Sequence, residues 1–175
     1  VIGEKLSLRR FEKLTGDCVA SYIHGGGRIG VLVAADGASN DAIKEALTNV
    51  AMQIAALKPQ YTSDSEVSAE YIEHEKEILM AQIANDPKMA GKPEKVIEGA
   101  VVGRLNKELK EVCLLEQPYV KAEDGKQTVA QYLAQVAKEN GAKLSVKKFV
   151  RFETGEGLEK KVDDFAAEVA AQAGM

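Results

Sequence analysis

A glycine-rich stretch near the start of the chain is the clearest candidate for a chemical site. Gly25-Gly26-Gly27-Arg28-Ile29-Gly30 matches the G-x-G-x-x-G spacing of dinucleotide-binding loops. Such loops need a helix directly after the glycines, because the helix N-terminus binds the phosphates. Here Val31-Leu32-Val33-Ala34-Ala35 follows, which is typical of a strand. A kinase-type glycine loop does join two strands, but the chain has no D-F-G or catalytic-loop element. The spacing therefore predicts a tight hairpin turn.

His24 lies beside that turn and is the next candidate. As a metal ligand it has only Asp17 and Cys18 nearby in the chain, at spacings that do not suit one coordination sphere. As a catalytic base it would have to activate Cys18 or Ser21. Ser21 is an odd number of residues away and would face the other side of a strand. We predict that His24 is exposed at the hairpin tip, and contact with a partner stays open.

The acidic residues also form no catalytic pair. Glu153, Glu156 and Glu159 cluster beside Lys160 and Lys161 in a glycine-rich stretch, which indicates a charged surface. The lack of a catalytic constellation favours a protein that acts by binding, without enzyme activity, cofactor or metal. From the residues alone, an interaction module ranks first, an enzyme of unknown class second and a structural coiled-coil protein third.

Composition narrows the choice further. The chain has 175 residues, 45% hydrophobic and 29% charged, with a net charge of −4, which does not favour nucleic acid as a partner. No apolar run approaches the ~18 residues that a membrane span needs. Cys18 and Cys113 lie far apart without C-x-x-C spacing, which indicates a reducing, cytoplasmic setting. The start Val1-Ile2-Gly3, with no signal peptide, predicts a fragment of a longer chain.

The first third of the chain predicts a β-meander followed by a helix. Short apolar runs at residues 6–14, 18–24 and 28–35 are separated by turn-forming residues. Apolar residues on both faces of the third run predict a central strand covered on both sides. Ser39 or Asn40 then caps a helix that ends at Lys58-Pro59.

Residues 64–112 predict an antiparallel helical hairpin. A charge-rich helix over 67–84 and a second apolar stripe over 96–112 are joined by a segment that contains Pro87 and Pro93. Each stripe is narrow, so the hairpin is expected to project from the body, like a short coiled coil. Gly99 and Gly103 lie on one helix face, where they would either permit close helix approach or only cost helix stability.

The chain then returns to the body. Residues 114–120 predict an edge strand, Thr128 caps a helix, and a strand and a last amphipathic helix follow. In that strand the apolar residues are predicted to share one face: Leu144, Val146, Val150 and Phe152. The predicted fold class is α+β, a small antiparallel sheet packed with helices. Its units are a core at 1–63 and 113–155, an inserted hairpin at 64–112 and a C-terminal helical module at 156–175.

Three blocks in the right order resemble elongation factor Ts of bacteria and together span most of the chain. The first block runs from Ile2-Gly3-Glu4 through Arg9-Arg10 and Tyr22-Ile23-His24-Gly25 to residues 28–35. The second comprises residues 51–59 and Val67-Ser68-Ala69-Glu70. The third joins Val150-Arg151-Phe152-Glu153, Gly155-Glu156-Gly157 and residues 164–170.

The resemblance implies a translation factor of the cytoplasm that docks on GDP-bound or nucleotide-free elongation factor Tu and promotes GDP release without covalent chemistry. Residues of the Tyr-x-His-Gly hairpin would contact the third domain of elongation factor Tu; here these are Tyr22, His24 and Gly25. Two other groups would contact its nucleotide-binding domain: Ile2 and Gly3, and Val162, Phe165 and Val169 in the C-terminal helix. In some members the helical hairpin is a dimerisation or partner-binding arm, and the sequence leaves this choice and the oligomeric state open.

One departure from the family bears on activity. The family's Thr-Asp-Phe-Val wedge, which intrudes near the magnesium site of the partner, does not occur in these 175 residues. Asp164-Phe165 matches the C-terminal block instead. The sequence therefore predicts a fragment that binds elongation factor Tu but is impaired in nucleotide exchange.

Overall fold

The body of the protein is a three-stranded antiparallel sheet in the order β1-β2-β3. A computed structural model describes residue 3 and residues 7–158. The strands are β1 (Cys18–His24), β2 (Ile29–Gly37) and β3 (Leu144–Glu153). As predicted, β2 is the central strand, and the fold class is α+β. The predicted C-terminal helical module at 156–175 lies almost wholly outside the described residues.

Two helices cover the inner face of the sheet and build the main core. Helix α1 (Asp41–Leu57) is capped by Asn40, whose side chain accepts a hydrogen bond from the Ile43 amide at 2.9 Å. Helix α4 (Val129–Glu139) begins with a capping box formed by Thr128 and Gln131. The core that they cover consists of buried apolar side chains from both helices and the sheet, among them Val31, Val33, Ala35, Ile43, Leu47, Val50, Ile54, Val129 and Leu133.

The predicted helical hairpin is present as α2 (Ala69–Ala84) and α3 (Glu94–Val112). Its buried contacts form a separate small cluster of Leu79, Ile83, Val101 and Leu105. Gly99 and Gly103 do not mediate a close approach, because a Cβ atom built at either would meet nothing within 4 Å. This leaves the second role, because a glycine inside a helix lowers helix stability.

Two predicted strands are wrong. Over residues 7–14 of the predicted first strand the chain forms no strand, and Leu8 and Phe11 are 82% and 76% exposed. Its large apolar residues, Leu8, Phe11 and Leu14, are three positions apart and therefore do not share one face of a strand. Residues 114–120 form a 3-10 turn at Leu114–Glu116 and an isolated bridge from Pro118 to Thr128 instead of a strand. Side-chain hydrogen bonds from α1 hold this segment, and Pro118 has no amide to donate to a ladder.

The predicted single apolar face of β3 is also wrong, because a β-bulge interrupts the strand. Ala34 pairs with Lys148 but Ala35 pairs with Val146, so Lys147 is an extra residue in β3. The extra residue reverses the alternation. Leu144 and Val146 therefore pack in the core, whereas Val150 and Phe152 line a small apolar cavity on the outer face.

None of the helices in the described ranges is both long and apolar enough to cross a membrane.

Candidate functional site

The tip of the β1–β2 hairpin is built by three glycines. The strands pair in register from Cys18 with Ala35 to His24 with Ile29, and Gly25–Gly27 form a 3-10 turn between them. All three glycines have positive φ, at 58°, 65° and 98°, a region in which residues with a Cβ atom are strained. The G-x-G-x-x-G spacing thus leads into β2, as predicted, and no helix N-terminus follows it that could hold a phosphate.

His24 is held in place by its neighbour two residues earlier in the same strand. The Tyr22 hydroxyl and His24 Nδ1 form a hydrogen bond of 2.9 Å, and the two ring centroids are 5.8 Å apart. Tyr22 is half-buried and packs against the main core, whereas His24 is exposed. The contact occupies Nδ1, and Nε2 forms no hydrogen bond with the residues that the structure describes. The tip therefore presents an imidazole ring that is oriented by Tyr22.

The side chains that would make His24 catalytic are elsewhere. Ser21 lies on the outer face, as the alternation predicted, where it lines the apolar cavity with Ile23 and Leu32. Cys18 is buried, and the Asp17 carboxylate accepts a hydrogen bond from the Gly37 amide at 2.8 Å. Within residues 7–158, no group of three potential metal ligands comes together.

The hairpin tip is attached to the turn that follows β3. The Thr154 amide and hydroxyl both donate to the Arg28 carbonyl oxygen, at 2.8 and 3.1 Å. These bonds connect β3 to the residue directly after the three glycines. As a result, the hairpin tip is supported from the neighbouring strand and is not a free loop.

A charged cavity of about 630 Å³ lies beside this support. Glu153 accepts hydrogen bonds from Arg151 at 2.8 Å and Lys58 at 3.1 Å, and these partners lower its pKa. Arg151 projects from the inner face of β3, because Lys147 bulges, and its side chain is only 8% exposed. Its Nε atom is buried without a hydrogen-bond partner in the described chain. A second cavity of about 800 Å³ lies along α4, and neither cavity is lined by His24.

Four of the eight predicted contact residues lie in the part of the chain that the structure describes. Tyr22, His24 and Gly25 lie together at the hairpin tip, and Gly3 is exposed. Ile2, Val162, Phe165 and Val169 lie outside the described residues. The hydrogen bond between Tyr22 and His24 was not predicted, although their i, i+2 spacing in a predicted strand places both side chains on one face.

Comparison with known proteins gives one consistent result. The family model described as elongation factor TS matches residues 1–156. Elongation factor Ts of Clostridioides difficile is 54% identical over 173 residues, which cover 98% of this chain and 55% of the relative. The same factor of Desulforamulus reducens is 54% identical over 159 residues, 88% of this chain and 70% of the relative. That of Clostridium botulinum (strain Eklund 17B) is 49% identical over 99% of this chain and 56% of the relative. The chain thus spans little more than half the length of two of these relatives.

Proposed function

The chain belongs to the elongation factor Ts family, and we propose that it acts in the cytoplasm by docking on elongation factor Tu and promoting the release of GDP. The observation that carries this proposal is the hairpin tip, where Tyr22 holds an exposed His24 by a 2.9 Å hydrogen bond. Tyr22, His24 and Gly25 are proposed to contact the partner directly. Ile2, Gly3, Val162, Phe165 and Val169 are proposed to form further contacts.

Physical reasons support a tip of this kind as a docking element. A side chain that is already oriented loses little conformational freedom when it binds, so less of the contact energy is spent on ordering. The strands that carry the tip pack in the main core, and a close-packed core keeps its shape when the tip exerts force on the partner. Contacts at two separated places would then strain the partner.

Nucleotide exchange needs no catalytic side chain on this protein. A factor that binds nucleotide-free elongation factor Tu more tightly than the GDP-bound form must weaken GDP binding by the same ratio, because the two equilibria are linked. We therefore propose a protein that acts by binding, without enzyme activity. The 175 residues lack the Thr-Asp-Phe-Val wedge, so we propose that they bind elongation factor Tu but accelerate GDP release only weakly.

We also propose the three structural units that the sequence predicts. They are the core at 1–63 and 113–155, the inserted helical hairpin at 64–112 and the C-terminal helical module at 156–175. The separate small cluster inside the helical hairpin supports treating residues 64–112 as a unit. Its outer surface carries exposed apolar side chains, Met80, Val96 and Val102. We propose the hairpin as a secondary arm for self-association or partner contact, and deletion of 64–112 followed by a mass measurement in solution separates the two roles.

The binding test compares three variants of the hairpin. His24→Ala should weaken binding to elongation factor Tu by roughly 30-fold, the loss typical of a central contact residue. Tyr22→Phe removes only the hydrogen bond that orients the ring, so we expect a loss of a few-fold. Ser21→Ala is the matched control, because Ser21 is exposed on the same strand but on the opposite face. Equal affinities for His24→Ala and the wild type, by titration calorimetry without GDP, would refute the proposed contact.

The exchange test follows labelled GDP leaving elongation factor Tu in a stopped-flow instrument. The wild-type chain at saturating concentration should accelerate release far less than a full-length factor does. Acceleration close to that of a full-length factor would show that the wedge is not needed.

A further inference from the structure

The segment at residues 7–15, here called the N-terminal segment, is attached to the protein by side chains rather than by strand pairing. Arg10 Nη2 donates to Glu156 Oε2 at 2.5 Å. The Arg10 guanidinium also lies 4.3 Å from the centroid of the Phe152 ring, within the range of a cation–π contact. Arg9 donates to the Glu156 carbonyl oxygen. We call these four residues, Arg9, Arg10, Phe152 and Glu156, the arginine clasp.

The turn that the clasp binds is itself well ordered by hydrogen bonds. The Glu156 amide donates to the Glu153 carbonyl at 3.1 Å, and the Leu158 amide donates to the Gly155 carbonyl at 3.2 Å. Gly157 has a φ of 69°, and a Cβ atom built there would lie 3.6 Å from Arg9 Nη2. Together with the bonds from Thr154 to the hairpin tip, this makes one continuous connection from the N-terminal segment to the β1–β2 hairpin.

The clasp therefore joins three parts of the chain that are proposed to touch the partner. Ile2 and Gly3 precede Arg9 in the sequence, Val162 follows Glu156, and His24 lies at the tip that Thr154 supports. Arg9 is six residues after Gly3, and Glu156 is six residues before Val162. Joining Arg9 to Glu156 therefore shortens the chain connection between the two groups of proposed contact residues.

We propose that the arginine clasp is a positioning device: Arg10, with Arg9, holds the N-terminal segment against the Gly155–Gly157 turn so that the separate contacts with elongation factor Tu can form together. This rests on the proposed function. Neither arginine needs to touch the partner. Breaking the clasp removes no contact residue, but these residues must then be ordered when the protein docks, which weakens binding.

The exposure of the clasp argues against a mainly stabilising role. The side chains of Arg10 and Glu156 are 42% and 44% exposed. Ion pairs this open to water add little to folding stability, because solvent screens the charges. An arginine that stacks on an aromatic ring and binds a carboxylate at the same time has a fixed geometry, which a lysine cannot reproduce. The clasp therefore contributes mainly by fixing the position of the N-terminal segment, and it contributes little to the free energy of unfolding.

The chain offers a matched control for the test. Lys148 and Glu12 also join the N-terminal segment to β3, with a separation of 3.8 Å. This pair is similarly exposed, at 61% and 45%, but it does not contact the Gly155–Gly157 turn. Lys148→Ala therefore removes a cation from the same region without opening the clasp.

The first measurement needs no partner. Nitroxide labels at Ser7→Cys and Leu158→Cys, both exposed positions, report the distance across the clasp by pulsed electron resonance, while the native Cys18 and Cys113 are buried. Arg10→Ala should broaden the distance distribution, and Lys148→Ala should leave it unchanged. An unchanged distribution in Arg10→Ala would overturn the proposal.

The second measurement is affinity for nucleotide-free elongation factor Tu by calorimetry. Arg10→Ala should lose roughly tenfold in affinity, the cost of fixing the backbone of about one residue on docking. Arg10→Lys should have an affinity between those of the wild type and Arg10→Ala. The exchanged pair, Arg10→Glu with Glu156→Arg, should recover part of the lost affinity. A loss no larger than that of Lys148→Ala would overturn the positioning role. No binding by the wild type would instead overturn the proposed function, and the distance measurement would still test the clasp itself.

Discussion

Gln53 is a completely buried polar residue in the C-terminal part of α1, and its replacement tests how the irregular segment after α3 is held. Gln53 Nε2 donates to the Pro118 carbonyl at 2.9 Å and to Gln117 Oε1 at 3.2 Å. Its own Oε1 accepts from the Val120 amide at 2.9 Å. One side chain on a helix thus takes the place of a strand ladder for residues 117–120.

Gln53→Met keeps the length of the side chain and removes all three hydrogen bonds. A buried donor or acceptor left without a partner costs about 1–3 kcal/mol. Gln117 is buried, whereas Pro118 and Val120 are exposed residues whose backbone groups water can partly satisfy. The range for one buried group therefore applies, and we expect a loss of about 2 kcal/mol in the free energy of unfolding. For a protein of this size, this corresponds to a fall in melting temperature of roughly 4–8 °C.

The assay is thermal and urea unfolding followed by circular dichroism. Gln135→Leu is the control, because Gln135 also has two side-chain partners but is exposed on α4, where water replaces them. It should change stability by less than about 0.5 kcal/mol. If Gln53→Met is as stable as the wild type, the segment is not held by these bonds and the reasoning is wrong.

Three further predictions concern glycine, charge and cysteine. Gly99→Ala should stabilise the protein by about 1 kcal/mol, because it replaces a helical glycine that has free space around it. Gly37→Ala should destabilise it by about 3 kcal/mol or more, because Gly37 has a φ of 127° and a Cβ atom there would overlap a backbone carbonyl. Urea unfolding measures both changes. Burial and then Glu75 raise the pKa of Glu108, so Glu108→Gln should increase the free energy of unfolding at pH 7, and this gain should disappear as the pH falls below the ordinary value of 4.5. An equal gain at pH 7 and at pH 4 would contradict this. Burial, followed by nearby carboxylates, raises the pKa of Cys113 to about 11, so a disulfide reagent at pH 8 should modify it only as fast as the protein unfolds.

Much of the fold follows from local signals in the sequence. The apolar period of α1, together with Asn40 before it, predicts the helix and its cap, and the structure has both. The three glycines predict the hairpin turn because only residues without a Cβ atom adopt three positive φ values in a row at low cost. The two stripes of the helical hairpin are long and regular, and their period is readable without knowledge of any contact.

The two strand predictions that are wrong share a different property. Residues 7–14 and 114–120 contain apolar residues at strand-like density, but what holds them is distant in sequence: Glu156 and Phe152 for the first, Gln53 for the second. A pattern read along the chain contains no information about a partner that is 67 or 146 positions away. Side-chain hydrogen bonds of this kind leave no period in the sequence.

By itself, then, the sequence determined the helices, the glycine hairpin, the α+β class and the place of His24 at the tip, since each depends on backbone preferences and near-neighbour periodicity. The tertiary structure decided which side chains share a face of β3, because the bulge at Lys147 appears only when the strand is paired with β2. It likewise decided the orientation of His24 and the existence of the arginine clasp. Those features arise from atoms brought within about 3 Å by folding, and no spacing along the chain encodes such distances.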